Sequence, residues 1–375
     1  CFPSISVGMN IDFNGLEETD LVKILFSEKV GVVLQSKENL TYSFDKYGVK
    51  AIKIGETIKQ NILSIGKLQL SISSLRNTWM ATSTKLELHQ TKTSLAAKRA
   101  KNVINQPLKF NFPNKFNGKI PFQKQNTLKA AVIREKGSNS EREMAYMMDL
   151  SGFEVRDVHM TDLIEGRENL EDINLLVAVG GFSNSDVLGS AKGWAGAFKY
   201  NPKAKSAIEN FFGRTDTLSL GVCNGCQLFV ELGLITPNHN RKPRMLHNDS
   251  GKFECIFTAV AIEKSKAIML NGLEGSILGI WAAHGEGKFS FPQDESNYQI
   301  PAKYLYQNYP SNPNGSDFNA AMLSSEDGRH LVMMPHIERS IFPWNWGHYP
   351  KNHSDEISPW IMVFENAYNW IINKA

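Results

Sequence analysis

The sequence predicts an α/β protein whose last two-thirds carries a central, mostly parallel sheet, preceded by a partial α+β domain and a linker. Three observations predict it. Short apolar runs at 130–134, 175–179, 217–222 and 331–334 alternate with helical stretches, the rhythm of a parallel sheet layered with helices. Two of these runs stop at glycine or proline, 175–179 before Gly180 and 331–334 before Pro335, where a strand hands over to a loop. The 375 residues, 42% hydrophobic and 21% charged, suffice for two or three globular domains with a sizeable core.

Residues 1–75 form the first segment. They read as mixed α and β, with strands at 31–35 and 67–73 and a helix at 19–26. Residues 1–10 begin abruptly, apolar and without a start signal, as at the end of a domain whose beginning lies upstream. Cys1-Phe2-Pro3-Ser4 lacks a basic stretch followed by an apolar one, so no secretory signal is expected. The longest apolar runs are too short to span a bilayer, and no membrane association is expected.

Residues 76–127 form the linker, helical over 75–103 and then extended through the proline-bracketed 106–113. Between Arg76 and Lys129 there are eleven Lys or Arg against one acid, Glu87. Such a bias raises the possibility of a nucleic-acid groove. Few aromatics interleave at a stacking period, so the reading is a basic linker on an acidic neighbouring surface, with no nucleic-acid partner. Four cysteines make no disulfide framework, which points to a reducing, cytoplasmic compartment.

Residues 128–375 carry the chemistry. After the strand at 130–134 comes a turn at 135–139, and Ser140 with Glu143 matches a capping box for the next helix. Met144, Met147 and Met148 fall on one face of that helix, as core residues do. The strongest signal follows the strand at 217–222: Gly221-Val222-Cys223-Asn224-Gly225-Cys226-Gln227 leads straight into an apolar helix. Such a strand–turn–helix puts Cys223 on a sharp elbow at the carboxyl end of the sheet. The helix N-terminus there favours an anionic sulfur. A buried, inert cysteine, or a C-x-x-C redox or metal pair with Cys226, are the other readings; no second such pair exists and Cys255 is isolated.

A cysteine nucleophile needs a base and the base needs an orienting group. Pro335-His336-Ile337-Glu338 offers both, just past another strand. Val179-Gly180-Gly181-Phe182 ends a third strand, where the glycines let a backbone N–H point into the site as an oxyanion donor. His284-Gly285-Glu286-Gly287 follows a fourth apolar run and is either a turn or part of the pocket lining.

A Gly-Gly loop, a G-x-C-x-G elbow and a His-x-Glu pair, in that chain order, resemble the class I glutamine amidotransferases, which have a flavodoxin-like fold. The stretches at 134–139, 157–160, 180–189, 221–227, 284–287, 312–316 and 333–339 look more closely like the glutaminase domains of the large, single-chain phosphoribosylformylglycinamidine synthases. That family often has Tyr-Gly where Asn184-Ser185 stands here, and Pro where Ile337 stands. Residues 1–75 are more weakly similar to the end of the same family's ATP-dependent synthetase half.

The resemblance implies catalytic Cys223, His336 and Glu338, with Gly181, Phe182, Asn224, Gln227 and His284 at the oxyanion and substrate positions and no metal. It implies glutamine as substrate. It further implies that formylglycinamide ribonucleotide, ATP and magnesium belong to a synthetase half lying mostly upstream, and that no cofactor binds the amidotransferase domain. Rival readings on the same fold are a cysteine peptidase or chaperone-like protein and a non-catalytic docking domain. The intact triad pattern speaks against both.

Overall fold

The structure is a computed structural model that describes residues 7–102, 104–121 and 128–374. Cys1 with the rest of the opening hexapeptide, Val103 and the predicted linker end at 122–127 lie outside the described residues. The chain divides into two compact units, one of residues 1–89 with 103–105, the other of 90–102 with 106–375.

The first unit is a small α+β assembly. Its elements are β1 (Gly8–Ile11), α1 (Leu21–Phe26), α2 (Thr41–Asp45), β2 (Gly55–Ile58), β3 (Ile62–Ile65), β4 (Leu68–Ser71) and α3 (Ile72–Gln90). The sheet order is β2-β1-β3-β4, with β1 antiparallel to β2 and parallel to β3. Asp20 starts α1 by accepting from the backbone N–H of Val22 and Lys23. The strand expected at 31–35 does not form. Val32, Val33 and Leu34 are exposed, so their strand propensity finds no ladder in this unit. The single helix expected over 75–103 is two: α3 ends at Gln90, and α4 (Thr93–Asn102) belongs to the second unit.

The second unit is built on β5 (Lys129–Arg134), α5 (Glu141–Leu150), β6 (Glu154–His159), α6 (Met160–Glu165), β7 (Leu175–Ala178), α7 (Lys192–Tyr200), α8 (Pro202–Gly213), β8 (Leu218–Val222) and α9 (Asn224–Glu231). Then come β9 (Arg244–Leu246), β10 (Glu254–Ile262), β11 (Ile277–His284), β12 (Lys288–Ser290), β13 (Ala302–Tyr304), β14 (Met322–Ser324), β15 (His330–Met333) and α10 (Met362–Ile372). The central sheet runs β14-β15-β8-β7-β5-β6, parallel throughout except for the edge strand β14. Parallel strands are covered on both faces and read as continuous apolar runs, as β7 and β8 do. An antiparallel sheet, β11-β10-β13, stands beside it.

Helix faces complete the core. Met144, Met147 and Met148 are wholly buried on α5, as their spacing predicts. Trp194, Phe198, Phe211, Phe229 and Phe364 fill the layers between helices and sheet. Asn201 and Pro202 start α8 together, the amide accepting from Ala204 N–H and the ring fixing the first turn. The capping box expected at Ser140 does not form. Ser140 is left-handed at φ 68° and makes no cap bond; its hydroxyl accepts from Arg339 instead. The stretch 106–113 is extended, as its prolines require, and is packed rather than loose. Asn111 bridges to Ile277, and Phe110 and Phe112 meet the Trp346 ring edge-on at 5.2 and 5.7 Å.

Strand direction positions everything that follows. The carboxyl ends of β5, β7, β8 and β15 deliver residues 135–139, 179–182, Cys223 and 334–338 to one edge of the sheet. Open α/β sheets bind ligands at that edge.

Candidate active site

β8 runs into Cys223, and α9 begins at the next residue. Cys223 holds φ 52° and ψ −105°, neither helical nor extended, which is the strained turn of a nucleophile elbow. Its thiol is 5% exposed and lies 3.8 Å from the Ala283 carbonyl oxygen at the end of β11.

His336 reaches the same point from β15. Gly180 shows how close they are: a Cβ there would come 2.8 Å from the His336 Cε1 and 3.4 Å from the Cys223 Cβ. The backbone of His336 is fixed by donating its N–H to the Trp281 carbonyl at 2.7 Å. Its Nδ1 pairs with Glu338 Oε1 at 2.6 Å, both side chains being almost completely buried. Nε2 has no hydrogen-bond partner. Burial alone would lower the imidazole pKa. The charges of Glu338 and Cys223 outweigh it and raise His336 to about 10. Burial likewise pushes Glu338 up, but His336 and Arg339 hold it below the ordinary carboxylate value. The pair is therefore ionic at neutral pH, with the proton on the imidazole.

The oxyanion candidates lie on two elements. Gly181 holds φ 123°, and a Cβ there would come 2.6 Å from Gly137 O and Ser138 Cα, so no other residue fits. Asn224 is the first residue of α9. Its buried side chain accepts from Ser183 N–H at 3.2 Å and donates to Gln227 Oε1 at 3.0 Å, tying the Gly-Gly loop to the elbow helix. Gln227 donates in turn to the Glu286 carbonyl at 2.8 Å. It lines the cavity, but its amide is spent on the wall. Phe182 is half exposed at the rim, 6.1 Å from the Phe253 ring. After it, Asn184, Ser185 and Asp186 are all left-handed, at φ 52°, 56° and 49°.

His284 has a defined role in the packing. Asn314 Oδ1 accepts from the Ser316 N–H, so its Nδ2 faces His284 and donates to Nε2 at 3.0 Å. His284 thus carries its proton on Nδ1. Burial first, and the nearby His336 charge second, push its pKa down to about 3, so the ring is neutral.

A cavity of about 100 Å³ joins these residues. Its wall also includes Glu286, from the 284–287 stretch expected as a turn or pocket lining, and Asp186, Arg339 and Asn139, to which the sequence assigns no role. Arg339 stands directly beside Glu338, and that adjacency is the available signal. Trp281 and Ala283 contribute backbone carbonyls, for which no residue type gives a signal.

The second cysteine of the C-x-x-C spacing does not join the site. Cys226 is fully buried on α9, and burial raises its thiol well above the usual value. Cys255 is exposed elsewhere. Among the described residues no group of three or more His, Cys, Asp or Glu could hold a metal ion, and no helix is long and apolar enough to cross a membrane.

Residues 127–371 match the CobB/CobQ-like glutamine amidotransferase domain. The chain is 40% identical over 404 residues to a probable phosphoribosylformylglycinamidine synthase, chloroplastic/mitochondrial, of Arabidopsis thaliana, covering 97% of this chain and 28% of the relative. It is 35% identical over 417 residues to phosphoribosylformylglycinamidine synthase of Homo sapiens, covering 98% of this chain and 31% of the relative. The chain thus spans under a third of the length of these relatives. Among solved structures it is similar to PurLQS from Thermotoga maritima, with TM-score 0.51 and 26% identity over 65% of this chain and 98% of that one.

Proposed function

This chain belongs to the CobB/CobQ-like glutamine amidotransferase family, and from that premise we propose that Cys223, His336 and Glu338 hydrolyse glutamine through a thioester. The observation that carries the proposal is the buried His336–Glu338 pair, whose unpartnered Nε2 shares one corner of the sheet edge with the strained Cys223.

The Cys223 sulfur attacks the side-chain amide carbon of glutamine. Backbone N–H groups of Gly181 and Asn224 receive the oxyanion, a contribution of about 3–4 kcal/mol per donor. The C–N bond breaks as the His336 proton moves to the leaving nitrogen, and ammonia departs from a γ-glutamyl thioester. His336, now neutral, takes a proton from water, which attacks the thioester and releases glutamate. Glu338 orients the ring and stabilises its cationic form. Asp186 and Glu286 supply negative charge for the substrate α-ammonium, and Arg339 positive charge for its carboxylate.

The relatives' name supports a wider proposal. The ammonia would be consumed in converting formylglycinamide ribonucleotide to formylglycinamidine ribonucleotide, with ATP and magnesium used by synthetase sequence upstream and no cofactor bound here. No step proposed for this chain passes through ATP. A reducing, cytoplasmic setting is proposed with it, resting on the free Cys223, Cys226 and Cys255.

The test is peptide mass spectrometry after treatment with a glutamine-mimicking diazo-ketone. The expected result is one covalent adduct, on Cys223, that glutamine protects against. A folded protein left unlabelled at Cys223 in the presence of an upstream synthetase half would overturn the reading.

A further inference from the structure

Arg99 of α4 lies outside every motif of the site, yet it is tied to its frame. Its guanidinium donates to Glu254 Oε2 at 2.8 Å and bonds the Tyr309 hydroxyl, lying 4.7 Å from the centre of that ring. The Tyr309 hydroxyl donates to Glu254 Oε1 at 2.9 Å. Glu254 is 3% exposed. A carboxylate so buried is costly unless paired, so these three groups stand or fall together.

Two arms lead from this cluster to the same residue. Glu254 opens β10 and sits directly across the ladder from His284, the last residue of β11. Tyr309 opens the loop whose Asn314 donates to His284 Nε2. The loop is held at its base by the same segment: Asn102 donates to the Tyr309 carbonyl, and Gln106 accepts from Ser311 N–H. β11 is also the strand whose Trp281 carbonyl fixes His336 and whose Ala283 carbonyl faces the Cys223 sulfur.

We infer that Arg99 is a positioning residue for the glutaminase site: by joining Glu254 to Tyr309 it clamps the end of β11, and so sets His284, and through that strand His336, against Cys223. The inference rests on the glutaminase reading above. Arg99 never touches the substrate; it acts through Glu254, Tyr309 and Asn314. An Arg fork holds two oxygen partners at fixed angles, which a methionine of similar length cannot do.

The experiment uses the whole chain carrying Arg99→Met, Arg99→Lys or Tyr309→Phe. Glutamine hydrolysis is measured together with nitrogen NMR of the labelled histidines. Wild type should show His284 as a single neutral ring protonated at Nδ1. Arg99→Met should add a second His284 state and lower kcat about tenfold with KM almost unchanged, the scale of a small misplacement. Arg99→Lys should restore part of kcat. Tyr309→Phe removes a single hydroxyl and should show the same split to a smaller degree if Arg99→Met does not fold. Folded variants with unchanged His284 signals and unchanged kcat would overturn the clamp. So would a loss that merely follows the melting temperature and that lysine does not rescue. A wild-type chain that never hydrolyses glutamine, even when supplied with an upstream synthetase half, would sink the glutaminase reading instead. In that case the His284 signals of Arg99→Met alone decide the clamp: a second state sustains it and unchanged signals end it.

Discussion

Replacing Glu338 by Gln keeps the shape of the buried pair and removes its negative charge. In the wild type, Glu338 Oε1 stands 2.6 Å from His336 Nδ1, with both side chains almost completely buried. Breaking one partner of such a pair costs about 3–5 kcal/mol. At 1.36 kcal/mol per factor of ten, kcat for glutamine hydrolysis should fall by about 10² to 10³, if most of that loss is felt in the transition state. The amide can also turn its NH2 toward Nδ1, which then accepts, so part of the population takes the tautomer protonated at Nε2.

The stability of Glu338→Gln carries a second signature. His336 rises from 6.5 to about 10 on folding, so its contribution is complete below 6.5 and lost as pH climbs through 10. Glu338 falls below 4.5, so its contribution is complete above 4.5 and lost as pH drops through the lowered value. The gap between wild type and Glu338→Gln should therefore be widest between 4.5 and 6.5 and narrow on both sides. Steady-state hydrolysis and denaturant titrations across pH read both effects. A variant with near wild-type kcat and a pH-independent stability gap would refute the role assigned to Glu338.

Gly180→Ala should place a methyl 2.8 Å from His336 Cε1, lowering stability by about 1–3 kcal/mol and glutaminase activity about a hundredfold. Equal activity in a folded variant would mean that His336 is not held where the structure puts it. Ser185→Gly should stabilise the chain by about 0.5–1 kcal/mol, because Ser185 is exposed and left-handed at φ 56°. A lower melting temperature would contradict that strain. His284, with its pKa pushed down to about 3, should stay neutral in NMR titrations through neutral and mildly acidic pH. A midpoint near 6 would contradict a buried, neutral ring beside His336.

Much of the site was legible because its residue types announce themselves at strand ends. A cysteine between glycines after an apolar strand, and a His-x-Glu pair after another, leave few alternatives once the sheet is recognised. Less legible was anything set by partners distant in sequence. The apolar 31–35 run had strand propensity but meets no ladder. Ser140 had the capping pattern, but Arg339 claims its hydroxyl from 199 residues away. Gln227 stood one turn from the nucleophile, yet its amide closes a bond to the Glu286 carbonyl. The Trp281 and Ala283 carbonyls that frame the site have no side-chain signature at all.

The most direct measurement is a rapid acid quench of the folded chain mixed with glutamine, supplied with an upstream synthetase half where turnover needs it, followed by peptide mass analysis. A γ-glutamyl thioester should appear on the Cys223 peptide and be absent from Cys223→Ala. Glutamine hydrolysis with no adduct at Cys223, or with the adduct on another residue, would contradict a Cys223–His336–Glu338 glutaminase.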